Sequence, residues 1–482
     1  GPGARQRMAA TRHLVESLAA SDEPVYGVST GFGSLALRRI PAERRADLQR
    51  SLLRSHAAGM GAPVEEEVVR AMLLLRARTL ATGHTGARPE VAELLLGLLS
   101  AGITPVVPEH GSLGCSGDLA PLAHAGLALI GEGTVAHGGA VRPAAEALAA
   151  AGLTPLELGA KEGLSLINGT DGILGMLVLA CEDLGRLLRT ADVTAAMSVE
   201  ALLGTDRPFA ADLHALRPHP GQARSAANLV RLLAGSEVVA SHRADDPRVQ
   251  DAYSLRCAPQ VAGAARDTLA FAEQVADREL AAVVDNPVVL ADGRIEAVGN
   301  FHGAPLGFAC DFLAIAAAEV GAIAERRVDR LLDAHRSHGL PPFLAAEPGV
   351  DSGLMIAQYT AAALVAENRR LAAPASVDSL PTSALQEDHN SMAWAAARKL
   401  RAVLINLGRV LAVELTVAGR GLDLRAPLAP APGTAAALAA LRQVVPGPGP
   451  DRPLAPELAA AEALVAGEHL LAAVEAAVGT LP

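Results

Sequence analysis

Five short polar segments interrupt a chain that otherwise follows helical periodicity. They are YGVSTGFG at 26–33, GSLGCSGDLAPLAH at 111–124, NGTDG at 168–172, QDAYSLRCAPQ at 250–260 and SVDSLPTSALQEDHNSM at 376–392. Such breaks in local helical logic concentrate at functional sites. The second segment admits several generic readings. A GxSxG nucleophile elbow around Ser116 needs glycine at 118, where Asp118 stands. A phosphate loop needs Gly-Lys-Ser/Thr, and neither Gly31-Phe32-Gly33 nor Gly59-Met60-Gly61 extends to GxGxxG after a strand. A Ser116–His124–Asp118 triad is conceivable, although residues so close in sequence rarely reach triad geometry. The plain alternative is a turn and a helix N-cap, with Asp118 capping a helix through Leu129.

GSLGCSGDLAPLAH resembles the signature of the aromatic amino acid ammonia-lyases, with the histidine ammonia-lyases the nearest group. The resemblance runs from about Pro24 to Leu424 and takes in all five segments in order. It implies a fumarase/aspartase-like superfold and a cofactor made from the chain itself, 4-methylidene-imidazol-5-one (MIO), built here from Cys115, Ser116 and Gly117. The residue types suit that chemistry. The backbone nitrogen of Gly117 has to attack the carbonyl carbon of Cys115, and a residue without Cβ allows the chain to fold back that tightly. Ser116 loses its hydroxyl to leave the exocyclic methylidene, and two waters depart in all. Residue 115 contributes backbone, so its side chain is free to vary. Most relatives have alanine there and some have cysteine; a thiol at this place is open to oxidants.

The remaining roles are carried over by the same resemblance. Tyr26 matches the base that removes the β-proton, although a phenol with pKa near 10 needs a helix N-terminus or a cation to lower it. Arg256 matches the clamp on the substrate carboxylate, a bidentate guanidinium pair. Gln250 and Tyr253 share its loop, Asn168 matches the amide that holds the ring carbonyl or the substrate amine, and Phe301 matches an aromatic packed beside MIO. Plainer readings stand beside these: a core tyrosine for Tyr26, a solvated arginine, an N-cap for Asn168 and a core aromatic for Phe301.

Substrate choice rests on two places. Ser55-His56 stands where phenylalanine- and tyrosine-specific relatives carry Phe-Leu or His-Leu, and Gln386-Glu387 stands where they carry Asn-Gln. Imidazole presents two polar nitrogens that His56 and Glu387 would satisfy. A phenyl ring would leave both partners bare, at roughly 1–3 kcal/mol per buried polar group. Glu387 is also a candidate for proton transfer during elimination. On its own His56 reads as a satisfied helix histidine. The expected reaction is therefore L-histidine to trans-urocanate and ammonia. The alternatives are a tyrosine or phenylalanine ammonia-lyase or 2,3-aminomutase, or a noncatalytic helical scaffold should Cys115 block cyclisation. Neither HExxH nor paired His/Cys spacing occurs, and Glu387-Asp388-His389 are adjacent residues that seldom converge, so no metal is expected.

These segments need elements to hold them. The chain has 482 residues, half of them hydrophobic. Apolar periodicity predicts helices over 42–58, 64–82 and 90–100, then longer ones over 167–189, 257–281, 303–335, 353–371 and 391–419. Gly138-Gly139 and Asp292-Gly293 mark two short hairpins, at 134–141 and 287–298. Residues 445–450, Val-Pro-Gly-Pro-Gly-Pro, form a loop between two C-terminal helices. The expected architecture is mainly α: a smaller mixed N-terminal domain over 1–168 carrying the tripeptide, and a long-helix bundle over 169–482. Several long helices are apolar all round, as at 314–318, which implies burial on every side in a bundle shared between subunits; the resemblance implies a homotetramer.

Composition narrows the partners. Lys plus Arg number 41, only two of them lysines, against 52 Asp plus Glu, a formal charge of −11 without a basic block. Nucleic acid and anionic membrane surfaces are poor partners for such a chain, and a small-molecule amino acid is the expected one. No run of 18 uncharged apolar residues occurs, so no membrane span is expected. Four cysteines without CxxC spacing, and no charged-then-apolar leader after Gly1-Pro2-Gly3, point to a reduced cytoplasmic protein.

Overall fold

The computed structural model describes residues 1–21, 24–244 and 246–482. Helix accounts for 61% of the chain and strand for 6%, so the class is mainly α. Most expected helices form close to their predicted bounds, as Arg45–His56, Glu66–Ala81, Pro89–Ser100, Ala258–Ala281, Ala304–Leu332, Met355–Leu371 and Ala393–Asp423, whereas the one expected over 167–189 runs from Asp171 to Ala201. Proline in the first turn starts several others, among them Pro220–Leu233 and Pro432–Arg442.

Two compact units divide the chain, one comprising 1–179, 273–311 and 374–398, the other 180–272, 312–373 and 399–482. This differs from a single cut after residue 168. Four of the five boundaries fall within long helices and the fifth, at 373/374, just after the Met355–Leu371 helix; the segments around Phe301 and Glu387 belong with the N-terminal residues.

In the first unit, short helices surround three small antiparallel sheets. Met60–Pro63 pairs with Pro108–His110, and Thr134–His137 lies between Thr104–Pro105 and Ala140–Pro143. The second expected hairpin shrinks to Val288–Val289 against Ile295–Glu296. Leu53, Leu73, Leu95, Leu98 and Leu122 are fully buried in the core of this unit. Charge is buried there too. The Lys161 ammonium donates to Asp285 Oδ2 at 2.6 Å, to Thr85 O at 2.9 Å and to Ser165 Oγ at 3.1 Å, with neither charged side chain exposed.

The second unit is built on long helices locked by polar pairs inside an apolar bundle. Arg327 donates twice to Glu414, at 2.5 and 2.9 Å, and Thr194 and Ser198 each donate to the same carboxylate at 2.7 Å. Asp192 accepts from Arg266, Ser225 and Asn228 in the same way. Such groups set helix register more than they add stability. Among the described residues three helices are, by length and composition alone, apolar enough to cross a membrane, and 89, 56 and 78% of their most apolar windows are buried inside the protein.

Removing Lys161 tests how far the first unit depends on its buried pair. Lys161→Ala leaves Asp285 charged in an apolar setting and is expected to cost about 3–5 kcal/mol, seen as a lower denaturation midpoint. The double variant Lys161→Met/Asp285→Leu should recover much of that loss.

Candidate active site

Residues 115–118 and 168–173 meet at the start of the Asp171–Ala201 helix. Gly117 has φ +75°, and a Cβ there would stand 2.1 Å from the carbonyl oxygen of Gly169. The Asp118 amide donates to that same oxygen at 2.7 Å. Residue 117 therefore has to be glycine on steric grounds, independently of any chemistry. Asp118 does precede a helix, Leu119–Leu129, but its side chain makes no cap bond to it. Instead Asp118 Oδ2 accepts from the amides of Gly172 and Ile173, both at 2.9 Å, and so caps the long helix. Burial pushes this carboxyl up to about 7 against those donors and the Ser112 hydroxyl. His124 Nε2 accepts from the Gly59 amide at 3.1 Å. With Asp118 and His124 so engaged, the Ser116–His124–Asp118 triad does not form.

Beside this junction lies a cavity of about 440 Å³, walled by Phe32, Leu52, Leu119, Leu164 and Ile167 and reached by Tyr26, His56, Ser116, Asn168 and Glu387. Tyr26 comes from the 26–33 segment, where its hydroxyl accepts from the Gly33 amide at 3.1 Å. Burial raises its pKa; the Gly33 donor opposes this, and the Glu387 charge adds to it. The lowered phenol pKa that a base would need is thus not provided by these neighbours. His56 ends the Arg45–His56 helix, with Nδ1 3.0 Å from Leu52 O. A carbonyl only accepts, so Nδ1 carries the proton and Nε2 keeps its lone pair. Burial lowers the pKa of His56 and favours this neutral form, against the Leu52 carbonyl and the Glu387 charge.

Asn168 does not cap the long helix. Its Nδ2 donates to Asn286 O at 2.7 Å, Arg76 holds its carbonyl at 3.0 Å, and its Oδ1 is buried without a partner. That bare oxygen is a buried acceptor on a residue that lines the cavity. Glu387 is brought close by anchors on either side of it. The Met392 amide donates to Leu113 O and Ser391 Oγ to Gly114 O, each at 2.8 Å, while the Ser34 amide donates to Ser383 Oγ at 3.3 Å.

Other expected residues sit elsewhere. Gln386 is exposed, and Phe301 is half-buried in the turn before the Ala304–Leu332 helix; neither lines the cavity among the described residues. Gln250, Tyr253 and Arg256 belong to the second unit. There Arg256 Nε donates to Asp251 O at 3.0 Å, its guanidinium stands 4.6 Å from the Tyr253 ring centroid, and Tyr253 is 71% exposed. Gln250 and Arg256 line a separate cavity of about 400 Å³ in that unit with Arg207, Arg243 and Arg248. Among the described residues no three His, Cys, Asp or Glu side chains converge as metal ligands.

Thr382, Ser383, Asn390 and Arg76 were not anticipated from sequence. Thr382, Ser383 and Asn390 fall inside a segment singled out for its polarity, but only tertiary contacts reveal what they bind. Cys115 is half-buried, and burial with the nearby Glu387 carboxylate pushes its thiol up to about 12. At pH 8 only about one molecule in 10⁴ would carry the thiolate. Iodoacetamide treatment at that pH, followed by peptide mapping, should leave Cys115 unmodified in the folded protein and alkylate it after denaturation.

Comparison with known proteins agrees with this geometry. The aromatic amino acid lyase family matches residues 1–443. Histidine ammonia-lyase of Streptomyces avermitilis is 64% identical over 477 residues, covering 98% of this chain and 93% of its own; that of Sorangium cellulosum is 52% identical over 487 residues, covering 99% and 95%. Among solved structures, tyrosine aminomutase from Streptomyces globisporus superposes with a TM-score of 0.93 at 38% identity, covering 99% of this chain and 94% of its own. Histidine ammonia-lyase from Trypanosoma cruzi gives 0.91, also at 38%, covering 99% and 90%. With a match over nearly its whole length and a junction at Gly117 that tolerates no side chain, the chain belongs to the aromatic amino acid lyase family.

Proposed function

We propose that this chain is a histidine ammonia-lyase. It breaks the Cα–N bond and a Cβ–H bond of L-histidine, forms the C=C bond of trans-urocanate and releases ammonia. The observation that carries this reading is that His56 and Glu387 line the same cavity as Ser116 and Asn168. Groups suited to an imidazole and the residue that would lose its hydroxyl thus share one chamber. The relatives named histidine ammonia-lyase at 64% identity support the same choice.

Cys115, Ser116 and Gly117 are assigned to MIO, and the close approach of Gly169 O to Gly117 supports the assignment because it compels glycine at the position whose nitrogen must cyclise. Once formed, the group supplies the electrophilic methylidene that natural side chains lack. The other roles fall to the chain's own side chains. Asn168 Oδ1, buried and bare, suits the substrate ammonium better than a ring carbonyl, since its Nδ2 is already spent on Asn286 O. Glu387 and His56 Nε2, both acceptors, suit the two N–H groups of a protonated imidazole ring; a neutral ring has one N–H, which Glu387 takes. Tyr26 takes the β-proton.

Arg256, with Gln250 and Tyr253, is assigned to the substrate carboxylate. Phe301 is assigned a place beside the tripeptide and Gln386 one beside Glu387, on the resemblance. We further propose a homotetramer in which loops of more than one chain build each site. The second unit supports assembly: Phe271, Phe312 and Ile315 are 44–47% exposed along an apolar groove of about 800 Å³. A cytoplasmic setting suits four cysteines of which, among the described residues, none forms a disulfide.

Turnover with L-histidine, L-tyrosine and L-phenylalanine tests the reading. Urocanate should appear from histidine with little product from the other two; a β-amino acid or a cinnamate as the main product would reject it. The mature chain should weigh two waters less than its sequence, and Ser116→Ala should fold, regain that mass relative to its own sequence and lose nearly all activity.

A further inference from the structure

We propose that Thr382 is a positioning residue for substrate recognition, its hydroxyl holding the Glu387 carboxylate in the orientation that receives the substrate ring. The inference rests on the reading of Glu387 given above. Glu387 sits on an awkward piece of backbone. Ser383, Ala384 and Leu385 have φ of 50°, 52° and 69°, three consecutive non-glycine residues in the left-handed region. Each is sterically unfavourable there, and such a run persists only where the surroundings over-determine it. The neighbours Gln386 and Asp388 are exposed, while Glu387 itself is half-buried at the cavity wall.

Thr382 closes this loop three times. Its amide donates to Glu387 O at 2.9 Å, the Glu387 amide donates back to Thr382 O at 3.3 Å, and Thr382 Oγ1 lies 2.5 Å from Glu387 Oε2. The direction of the third bond follows from a further contact. Asn390 Nδ2 reaches Thr382 Oγ1 at 3.2 Å, and an amide nitrogen can only donate. The hydroxyl is therefore an acceptor toward Asn390, and its single proton goes to the carboxylate. Asn390 is 2% exposed, so this relay is anchored in the interior.

The consequence is geometric. With Oε2 held by Thr382, the carboxylate cannot turn away along the exposed loop; it stays beside the Cys115 thiol, which also hydrogen-bonds it, and its remaining lone pairs can receive a ring N–H entering the cavity. Tyr26, His56 and Cys115 each feel the Glu387 charge, which places the carboxylate among the groups a ligand would meet. Thr382 itself does not line that cavity; it acts through Glu387.

Steady-state kinetics on Thr382→Val, Thr382→Ser, Glu387→Gln and the Thr382→Val/Glu387→Gln pair test this. Thr382→Val keeps the shape and removes the donor. It should raise KM for L-histidine about tenfold while lowering kcat less, as loss of one hydrogen bond to a charged acceptor implies. Thr382→Ser should restore KM, and in the Glu387→Gln background, where the acceptor is neutral, Thr382→Val should add a smaller change. Should the valine variant fail to accumulate, Thr382→Ala carries the same expectation. A wild-type KM in the valine or alanine variant, with the two-water mass deficit intact, would overturn the proposal, as would an equal rise in KM when Glu387 is already glutamine. A wild-type KM in Glu387→Gln alone would instead reject the role of Glu387.

Discussion

The contact between Gly117 and the carbonyl of Gly169 governs the first unit. The oxygen is gripped by the Asp118 amide from one side and leaves no space for a Cβ at residue 117 on the other. One residue later Asp118 reaches across to the first amides of the Asp171–Ala201 helix, and from the far side Arg76 holds the Asn168 carbonyl. The 115–118 turn is thus tied to the helix start by three hydrogen bonds, all of them made by Asp118. A turn held so firmly has few conformations to lose before its two ends react with each other, which is the entropic advantage that intramolecular chemistry exploits.

Buried charge does the holding. Arg76 is 1% exposed, approaches Asp171 at 3.5 Å and also donates to Val284 O at 2.8 Å. Lys161 and Asp285 lie fully inside, and the Asp285 carboxylate accepts from the amide of Asn286, whose carbonyl takes the Asn168 side chain. Hydrophobic replacements of similar volume would fill this space at comparable stability. They would not aim an amide. The same trade recurs in the second unit, where Arg327 donates both to Glu414 and to the Ser254 carbonyl in the turn bearing Arg256.

The helices and the polar segments were legible because each is a local pattern: apolar spacing for Ala393–Asp423, glycines and hydroxyls for residues 111–124. Where reading failed, the partner lay far along the chain. Asp118 looks like the cap of the helix that follows it, yet caps one that begins 53 residues later. Pro220–Leu233 was not among the expected helices: its buried face mixes Gly221, Gln222, Ser225 and Asn228 with Ala226, Leu229, Leu232 and Leu233, and Ser225 and Asn228 donate to a distant carboxylate, Asp192. His56 and Glu387 were legible only as a pair of substitutions in a resembling pattern; their shared cavity required the fold. Thr382 carried no signal, since a hydroxyl in a polar loop is unremarkable until its acceptor is known.

The electrostatics of the cavity carry one more consequence. Burial drives Tyr26, His56 and Cys115 toward their neutral forms, and the Glu387 charge reinforces this for the phenol and the thiol. Arg38 lines the same cavity, yet Tyr26 stays raised. A phenol in this condition is a poor acceptor for a weakly acidic β-proton. Positive charge has to arrive for it to act, and a substrate ammonium drawn to the bare Asn168 oxygen, or a guanidinium brought by assembly, would supply it. Either source couples the base to ligand or partner. In the role proposed for it, the tyrosine would then ionise only when a substrate or a partner brings that charge.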